Sequence, residues 1–409
     1  MPLKRIIILF TYIISNLSLN AQEIDLTFNE LESFLTNNSP QVKILENDYE
    51  LNAIEKQIGL QWSNPEFNFE LEDIKNDFQN EREIALTLNK RFEFPWVYSK
   101  RTEYWEARLQ AAEFLKRERY NSFLTEMKSG YAELKLLENQ HSRVNKIKSI
   151  LESISQTAMN QYEEGTISGL DQNLIYMSLF NVETAIIRLR EQMLSLESEW
   201  KSLAGIESEE GVNLKTTIIF KKIDWGLLDE AVKNPQKYLS IQSGLHKEKS
   251  LQYHVELENS NLFPDFGIGG GYKNVTPNLN GFVFEFSLPL PLLNQNKPQL
   301  QKRQIEFDSF KKNFKQFRNH ILRKVSVLSN TIKANEYAIE KLYKNEMNGI
   351  EQLEQIISSY KEGWISLNEL LNSIEIYFEF IQTSNEQLIN YYRSAFKLEA
   401  IIGKSLVSF

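Results

Sequence analysis

The chain has 409 residues, enough for two or three ordinary domains, and 16 glycines, few enough to favour a mainly helical protein. Its formal net charge is −9 with no clustered basic face, which excludes nucleic acid as a partner because phosphate recognition needs such a face. There is no cysteine, which excludes disulfides, thiol chemistry, cysteine-held metals and a lipid-modified cysteine at a mature N-terminus.

The first residues, 1–21, read as a signal peptide. Lys4 and Arg5 give a charged start, and Ile6 to Leu19 is mostly apolar but broken by Thr11, Ser15 and Asn16. Leu19-Asn20-Ala21 ends in a small residue suited to cleavage before Gln22. A membrane anchor is the rival reading. It is disfavoured because the unbroken apolar stretch is shorter than the roughly 20 residues a spanning helix needs.

A helical stretch follows, about Thr27 to Gln61, broken at Ser39-Pro40, where Pro40 suits a first helical turn and Ser39 its cap. Asn64-Pro65 ends it. Two strands come next. Phe67, Phe69 and Leu71 alternate with Asn68, Glu70 and Glu72; after a polar loop, Lys75 to Glu81, Ile84, Leu86 and Leu88 alternate with Ala85, Thr87 and Asn89. A very long helix is expected from about Tyr98 to Tyr162, roughly 100 Å of rise. Its Tyr120, Leu124, Met127, Tyr131 and Leu134 have the 4-3-4-3 spacing of a coiled-coil seam. A tip at Glu163 to Gly169 leads into a return helix, about Leu170 to Leu203, stopped by Ala204-Gly205. Ile206 to Trp225 breaks the pattern, with a short strand expected at Thr216 to Phe220.

The plan then restarts. A helix from Gly226 to about Asn259, interrupted near Asn234-Pro235, precedes Phe263-Pro264. In the next strand pair Phe266, Ile268 and Tyr272 alternate with Asp265, Gly267 and Gly271; Phe282, Phe284, Phe286 and Leu288 alternate with Val283, Glu285 and Ser287. A second long helix, about Pro298 to Tyr360, carries Phe310, Phe314, Phe317, Ile321, Val325, Leu328 and Ile332, whose 4-3-4-4-3-4 spacing counteracts left-handed supercoiling. A second tip, Lys361 to Ser366, opens a final helix to about Ile402-Gly403.

One motif occurs twice. Tyr162-Glu-Glu-Gly165-Thr-Ile-Ser168-Gly-Leu-Asp171 returns as Tyr360-Lys-Glu-Gly363-Trp-Ile-Ser366-Leu-Asn-Glu369, at a constant offset of 198 residues. The chain therefore reads as one long unit written twice: residues 22–205, an equatorial connector 206–225, and residues 226–409. The β-hairpins lie at about 66–95 and 265–291.

Two hairpins make a stable sheet only if something covers its edges. The apolar face is strongly aromatic, with Phe67, Phe69, Phe266, Phe282, Phe284 and Phe286; Trp62, Phe92, Phe94, Trp96 and Tyr98 gather at the strand ends. Apolar strands of about ten residues between aromatic girdles suit the wall of a transmembrane β-barrel, with Asn68, Glu70, Glu72, Thr87, Asn89, Asp265 and Glu285 lining a polar lumen. A soluble sheet packed on helices is the alternative. In lipid an open four-stranded sheet is forbidden, so the chain must oligomerise; three chains give 12 strands, an even number in the usual range.

With these residues in place, the sequence resembles the TolC family of outer-membrane efflux proteins over essentially the whole mature chain. The resemblance rests on the duplicated Tyr-x-x-Gly-x-x-Ser tips, on Asn64-Pro65-Glu and Phe263-Pro264-Asp before the strands, and on Phe282-Val-Phe-Glu-Phe-Ser-Leu-Pro-Leu-Pro291 followed by Asn294-Gln-Asn-Lys297. Arg91-Phe-Glu-Phe-Pro95-Trp-Val-Tyr98 with the Ser-Leu-Pro-Leu-Pro run is similar to the heavy-metal (cation) efflux branch. The resemblance implies a mainly α protein with transmembrane β. Three chains would form a 12-stranded β-barrel in the outer membrane of a Gram-negative bacterium, continuing into a 12-helix periplasmic α-barrel. It implies no catalysis and no cofactor. The implied partners are a periplasmic adaptor protein docked at the tips and, through it, an inner-membrane resistance-nodulation-division (RND) pump.

Gly165 and Gly363 are expected to turn the backbone at positive φ, and Ser168 and Ser366 to cap the return helices. By the resemblance, the same tips form the adaptor-docking surface, with Thr166, Ile167, Trp364 and Ile365 as its exposed apolar groups. Asp171 and Glu369 fall in the first turns of the return helices and compensate the helix dipole. As six carboxylates in a trimer they would also form a cation-favouring entrance gate. His141, His246, His254 and His320 lack ligand spacing and read as structural or surface residues.

Among rival functions, a type I secretion channel shares the same architecture. A periplasmic coiled-coil adaptor has long helical hairpins too, but usually one, with compact β-domains. An enzyme is excluded by the lack of a nucleophile elbow, phosphate loop or metal-binding His-Glu pattern. The acidic tips fit metal cations and cationic drugs equally.

Overall fold

The structure is a computed structural model and describes residues 23–75, 80–207, 209–276, 279–291 and 295–409. The signal peptide, Asn294 and the loop segment 76–79 lie outside the described residues. In chain order the elements are β1 (Ile24–Leu26), α1 (Leu31–Asn38), α2 (Pro40–Leu60), β2 (Glu66–Lys75), β3 (Asn80–Phe92), α3 (Pro95–Glu163) and α4 (Gly169–Ala204). There follow β4 (Val212–Leu214), α5 (Trp225–Lys233), a 3-10 turn at Pro235–Lys237, α6 (Leu239–Ser260), β5 (Phe266–Val275), β6 (Leu279–Ser287), α7 (Lys297–Lys361) and α8 (Leu367–Ile402).

Proline sets several of these boundaries. Pro40 and Pro95 are the first residues of α2 and α3, where a missing N–H costs nothing. The first long helix therefore begins at Pro95, three residues earlier than the expected Tyr98. Thr27 does not open the first helix. Its N–H and hydroxyl both donate to the Glu30 carboxylate (3.1 and 2.7 Å), and α1 starts only at Leu31.

The chain forms two compact units, and neither is one of the two sequence halves. The first comprises the described residues up to Lys43, with Asn121–Val232 and Val325–Phe409; the second comprises Ile44–Tyr120 and Lys233–Lys324.

In the first unit, heptads build the core. Leu137, Val144, Ile147, Leu151, Ile154 and Ala158 of α3 meet Ile175, Val182 and Leu189 of α4 and Leu370, Ile374 and Ile381 of α8. In α8 the period is strict: Ile374, Ile381, Leu388, Ala395 and Ile402, each seven apart, are all buried. Sequence reading found seams in α3 and α7 but overlooked this one.

The same unit contains a parallel pair, Ile24↔Val212 to Leu26↔Leu214. The strand expected at Thr216 to Phe220 is absent; β4 lies at Val212–Leu214 instead. The reason is that tyrosines replace a strand partner. Tyr131 Oη donates to Leu26 O (2.9 Å) and accepts from Thr216 N–H (3.0 Å). Tyr392 Oη donates to Ile219 O (2.5 Å) and accepts from Lys221 N–H (3.0 Å). Tyr391 Oη donates to Lys221 O (3.0 Å) and accepts from Ile223 N–H (3.0 Å). Backbone groups satisfied this way need no ladder.

In the second unit, the two hairpins join into one antiparallel sheet in the order β2-β3-β5-β6. The register places Phe67 opposite Leu88, Leu88 opposite Gly270, and Gly270 opposite Phe284. One residue further along, Asn68, Thr87, Gly271 and Val283 form a row on the other face. Period-two alternation in four strands therefore sums to one apolar and one largely polar face.

Candidate functional site

The two tips are built alike. Gly165 and Gly363 have φ of 72° and 78°, and no atom lies near where a side chain would project, so backbone conformation alone demands glycine there. Ser168 and Ser366 cap α4 and α8 in reciprocal boxes. At the first tip, Asp171 N–H donates to Ser168 Oγ (3.2 Å), and the Asp171 carboxylate accepts from Ser168 N–H (3.2 Å) and its hydroxyl (2.8 Å). At the second, Glu369 N–H donates to Ser366 Oγ (3.3 Å), and its carboxylate accepts from Ser366 N–H (2.7 Å) and hydroxyl (2.8 Å). These bonds, the backbone one foremost, hold the Glu369 carboxyl below its ordinary pKa.

The four apolar tip residues do not share one fate. Ile167 and Ile365 are half-buried and pack on the heptad core. Thr166 is exposed, its hydroxyl donating to Gln161 O (2.8 Å). Trp364 stands out, with 79% of its surface free. The expected apolar patch thus shrinks mainly to Trp364, because the two isoleucines tie the loops down. The tips meet at Tyr360, which packs on the shared core; burial first, and the Asp171 charge second, push its phenol pKa up.

Sequence reading missed a ladder on α4. Leu170, Met177, Phe180, Ile187 and Leu194 are all exposed, at 7-3-7-7 spacing. The heptad signal was present but was not separated from the buried set Ile175, Val182 and Leu189 on the same helix.

The sheet inverts the usual arrangement. Phe284 is 89% exposed and Phe282 82%, with Phe67, Phe69, Leu88 and Phe286 also on the bare apolar face. On the other face Ala85 and Thr87 are buried. A side chain on Gly269 would overlap Asn89, so its absence lets neighbouring polar groups lie across β5. At one end of the sheet aromatic rings interlock. Trp62 stacks on Tyr98 (5.1 Å between centroids) and Phe94 on Trp96 (4.5 Å), and Phe266 contacts Phe92 and Phe94.

The histidines serve packing. His246 stacks on Phe114 (3.9 Å) and His254 on Tyr104 (4.2 Å), His141 bonds Asn145, and His320 is exposed. Among the described residues no group of three or more His, Asp or Glu could hold a metal. No helix among them is long and apolar enough to cross a membrane.

No family model matches the chain, and no curated protein matches it in sequence. Solved structures do match. The chain has the fold of outer membrane channels. The outer membrane channel CmeC of Campylobacter jejuni aligns with a TM-score of 0.76 at 12% identity, covering 92% of this chain and 85% of CmeC. CusC, whose structures concern transmembrane channel formation, aligns with a TM-score of 0.75 at 14% identity over 94% of this chain and 95% of its own. The open-state MtrE outer membrane channel of Neisseria gonorrhoeae gives 0.72 at 12% identity, over 95% and 93%. The mainly helical class with a β part, expected from sequence, is the one observed.

Proposed function

We propose that the chain is one of three identical subunits of an outer-membrane channel and serves as the passive exit duct of a tripartite efflux pump. The observation that carries this is the four-stranded sheet whose aromatic face is bare while the middle of its other face, at Ala85 and Thr87, is buried. In water such a face is a large exposed apolar patch; in lipid it is the correct outer surface. The outer edges of β2 and β6 then need partners, and copies of the same sheet supply them: three sheets of four strands close a barrel of 12.

On this reading the two halves of the sequence are repeats of one hairpin-and-helix unit. The tips dock a periplasmic adaptor, Trp364 being the residue with most free apolar surface. Cargo arrives from an inner-membrane RND pump, and the subunit itself performs no catalysis. Asp171 and Glu369 would ring the entrance and favour metal cations or cationic drugs; their capping bonds hold both side chains in place.

The cysteine-free background makes the test direct. Single cysteines placed along β2 and β6, in paired combinations, should oxidise to a covalent trimer in outer-membrane preparations. The detergent-solubilised protein should have the mass of three chains. A monodisperse monomer in plain buffer, with no cross-linked pair, overturns the proposal. For the gate, Asp171→Ala with Glu369→Ala should reduce cation preference in single-channel recordings; unchanged selectivity removes that role and leaves the channel.

A further inference from the structure

A cavity of about 660 Å³ lies within the second unit, walled by α3, α6 and α7. It exists because α6 turns small residues toward it. Ser240, Ser243, Gly244 and Ser250 line it, and a side chain on Gly244 would overlap the Phe314 ring. Its apolar walls are Leu115 of α3 and Phe310, Phe314 and Phe317 of α7. The volume falls within the roughly 300–1,000 Å³ typical of small-molecule sites.

One buried polar group inside it lacks a partner, and one cation at its mouth has no ion pair. Ser240 is only 7% exposed, yet its Oγ has no hydrogen bond. Buried hydroxyls nearly always find a partner, so an unpaired one lining a cavity points to a guest. Lys247 also lines the cavity and, among the described residues, has no carboxylate within ion-pair distance. The other cations there are engaged: Arg108 with Glu55, and Arg303 with Glu306 (2.9 Å). Lys247 stands partly in solvent at the cavity mouth; partial burial, then the Arg108 charge, lower its pKa, against a smaller upward pull from Glu306. Glu118 and Glu306 are the lining carboxylates, and Arg303 occupies the second. His254 adds no charge near neutral pH: burial and Arg303 lower its pKa to about 4. Lys247 lies on the same helix face as Ser240 and Ser243, seven and four residues earlier, and helical side chains lean toward the N-terminus.

We propose that this cavity binds a small amphiphilic organic carboxylate, with its head on Lys247 and Ser240 and its apolar tail against the α7 phenylalanines. A neutral apolar guest would leave the buried Ser240 hydroxyl unanswered. A cationic guest would meet Lys247 and Arg108. The inference is independent of the channel reading, since it needs only the second unit as folded.

The test is calorimetric titration of the full chain in non-ionic detergent with decanoate, below its micelle concentration, and with decanamide as the uncharged isostere. The expected result is saturable binding of one decanoate per chain, with decanamide weaker. Lys247→Met should weaken decanoate about tenfold or more, as loss of a charge-assisted bond does, and leave decanamide unchanged. Lys247→Arg should largely restore it. Ser243→Phe should fill the cavity and abolish binding of both. Equal affinity for decanoate and decanamide, or wild-type affinity in Lys247→Met or Ser243→Phe of unchanged melting temperature, overturns the proposal, as does the lack of saturable binding.

Discussion

The sheet and the heptad core handle the same side chains in opposite ways. In the helices of the first unit the apolar seams are closed: Leu151, Ile374 and Ile381 are buried. In the sheet of the second unit the apolar face is open, while Ala85 and Thr87 at the middle of the other face are buried; Phe284 has 89% of its surface free against 6% for Thr87. Burial removes apolar area from water in the first case. In the second, none of the described residues performs that removal, and an apolar medium would. The difference shows that the alternation of a strand and the heptad of a helix predict which residues share a face, whereas the solvent decides which face turns outward.

The substitution that breaks this contrast most strongly is Phe284→Arg. A cation on a lipid-facing strand costs about 2–4 kcal/mol near the bilayer midplane, and three copies per assembly multiply it. We expect loss of the assembled protein from outer-membrane fractions. Glu285→Arg, one residue on and on the opposite face, should leave assembly intact. Equal amounts of both variants in the membrane would mean that the aromatic face does not meet lipid.

A smaller effect is expected at Tyr391→Phe. The hydroxyl joins Lys221 O and Ile223 N–H, and removing it leaves two backbone groups of the 216–223 segment unpaired, at about 1–3 kcal/mol. Thermal unfolding of the solubilised protein should show a lowered midpoint. No change would mean that water replaces the hydroxyl.

That segment also marks where the sequence stopped being legible. Helices and strands followed from period and proline: the break at Ser39-Pro40, the Phe282-Phe284-Phe286 alternation and the tip glycines all fall where their local chemistry put them, whereas the helix after Phe94 starts at Pro95, ahead of the expected Tyr98. Thr216 to Phe220 has the composition of a strand but no ladder, because its partners are hydroxyls on Tyr131 and Tyr392, distant in sequence. No local signal carries that information. β1 is likewise set by a pairing 188 residues away. At the tips, the glycine turns and serine caps were legible from type and spacing. The burial of Ile167 and Ile365 was not, since an apolar residue in a loop looks the same whether it faces water or a neighbouring hairpin.

Glu399 sharpens the contrast from the side of the helical core, where a polar group is buried with its partners. Its carboxylate accepts from Val407 N–H (2.7 Å) and Leu406 N–H, fastening the C-terminal segment. Burial dominates and raises its pKa from 4.5 to about 7. The folded state therefore holds a proton that the unfolded chain releases, so stability should fall as pH rises from about 4.5 to about 7 and level off above. Glu399→Gln keeps an acceptor without a charge. It should be nearly neutral at pH 5, stabilising at pH 8, and should flatten the profile between; an unaltered slope would assign the pH dependence elsewhere.

The smallest effect is expected at the tips, where order comes from hydrogen bonds at an exposed surface rather than from burial in either medium. Ser366→Ala removes the side-chain acceptor for Glu369 N–H and should cost about 1 kcal/mol. The backbone bond from Ser366 N–H to the Glu369 carboxylate survives this change, and it is the larger cause of that group's lowered pKa. Since a lowered carboxylate pKa contributes stability above the ordinary value that is lost as pH falls through the folded one, most of that acid sensitivity should persist in the variant. Ser168→Ala should cost about the same, because the side-chain bonds it removes match in length, 3.2 and 2.8 Å against 3.3 and 2.8 Å. Amide exchange in the first turns of α4 and α8 reads both directly. Faster exchange confined to α8 in Ser366→Ala and to α4 in Ser168→Ala would show that each tip is ordered by its own cap; unchanged exchange at both would place that ordering in Ile167 and Ile365, and so return the tips to the rule of the heptad core.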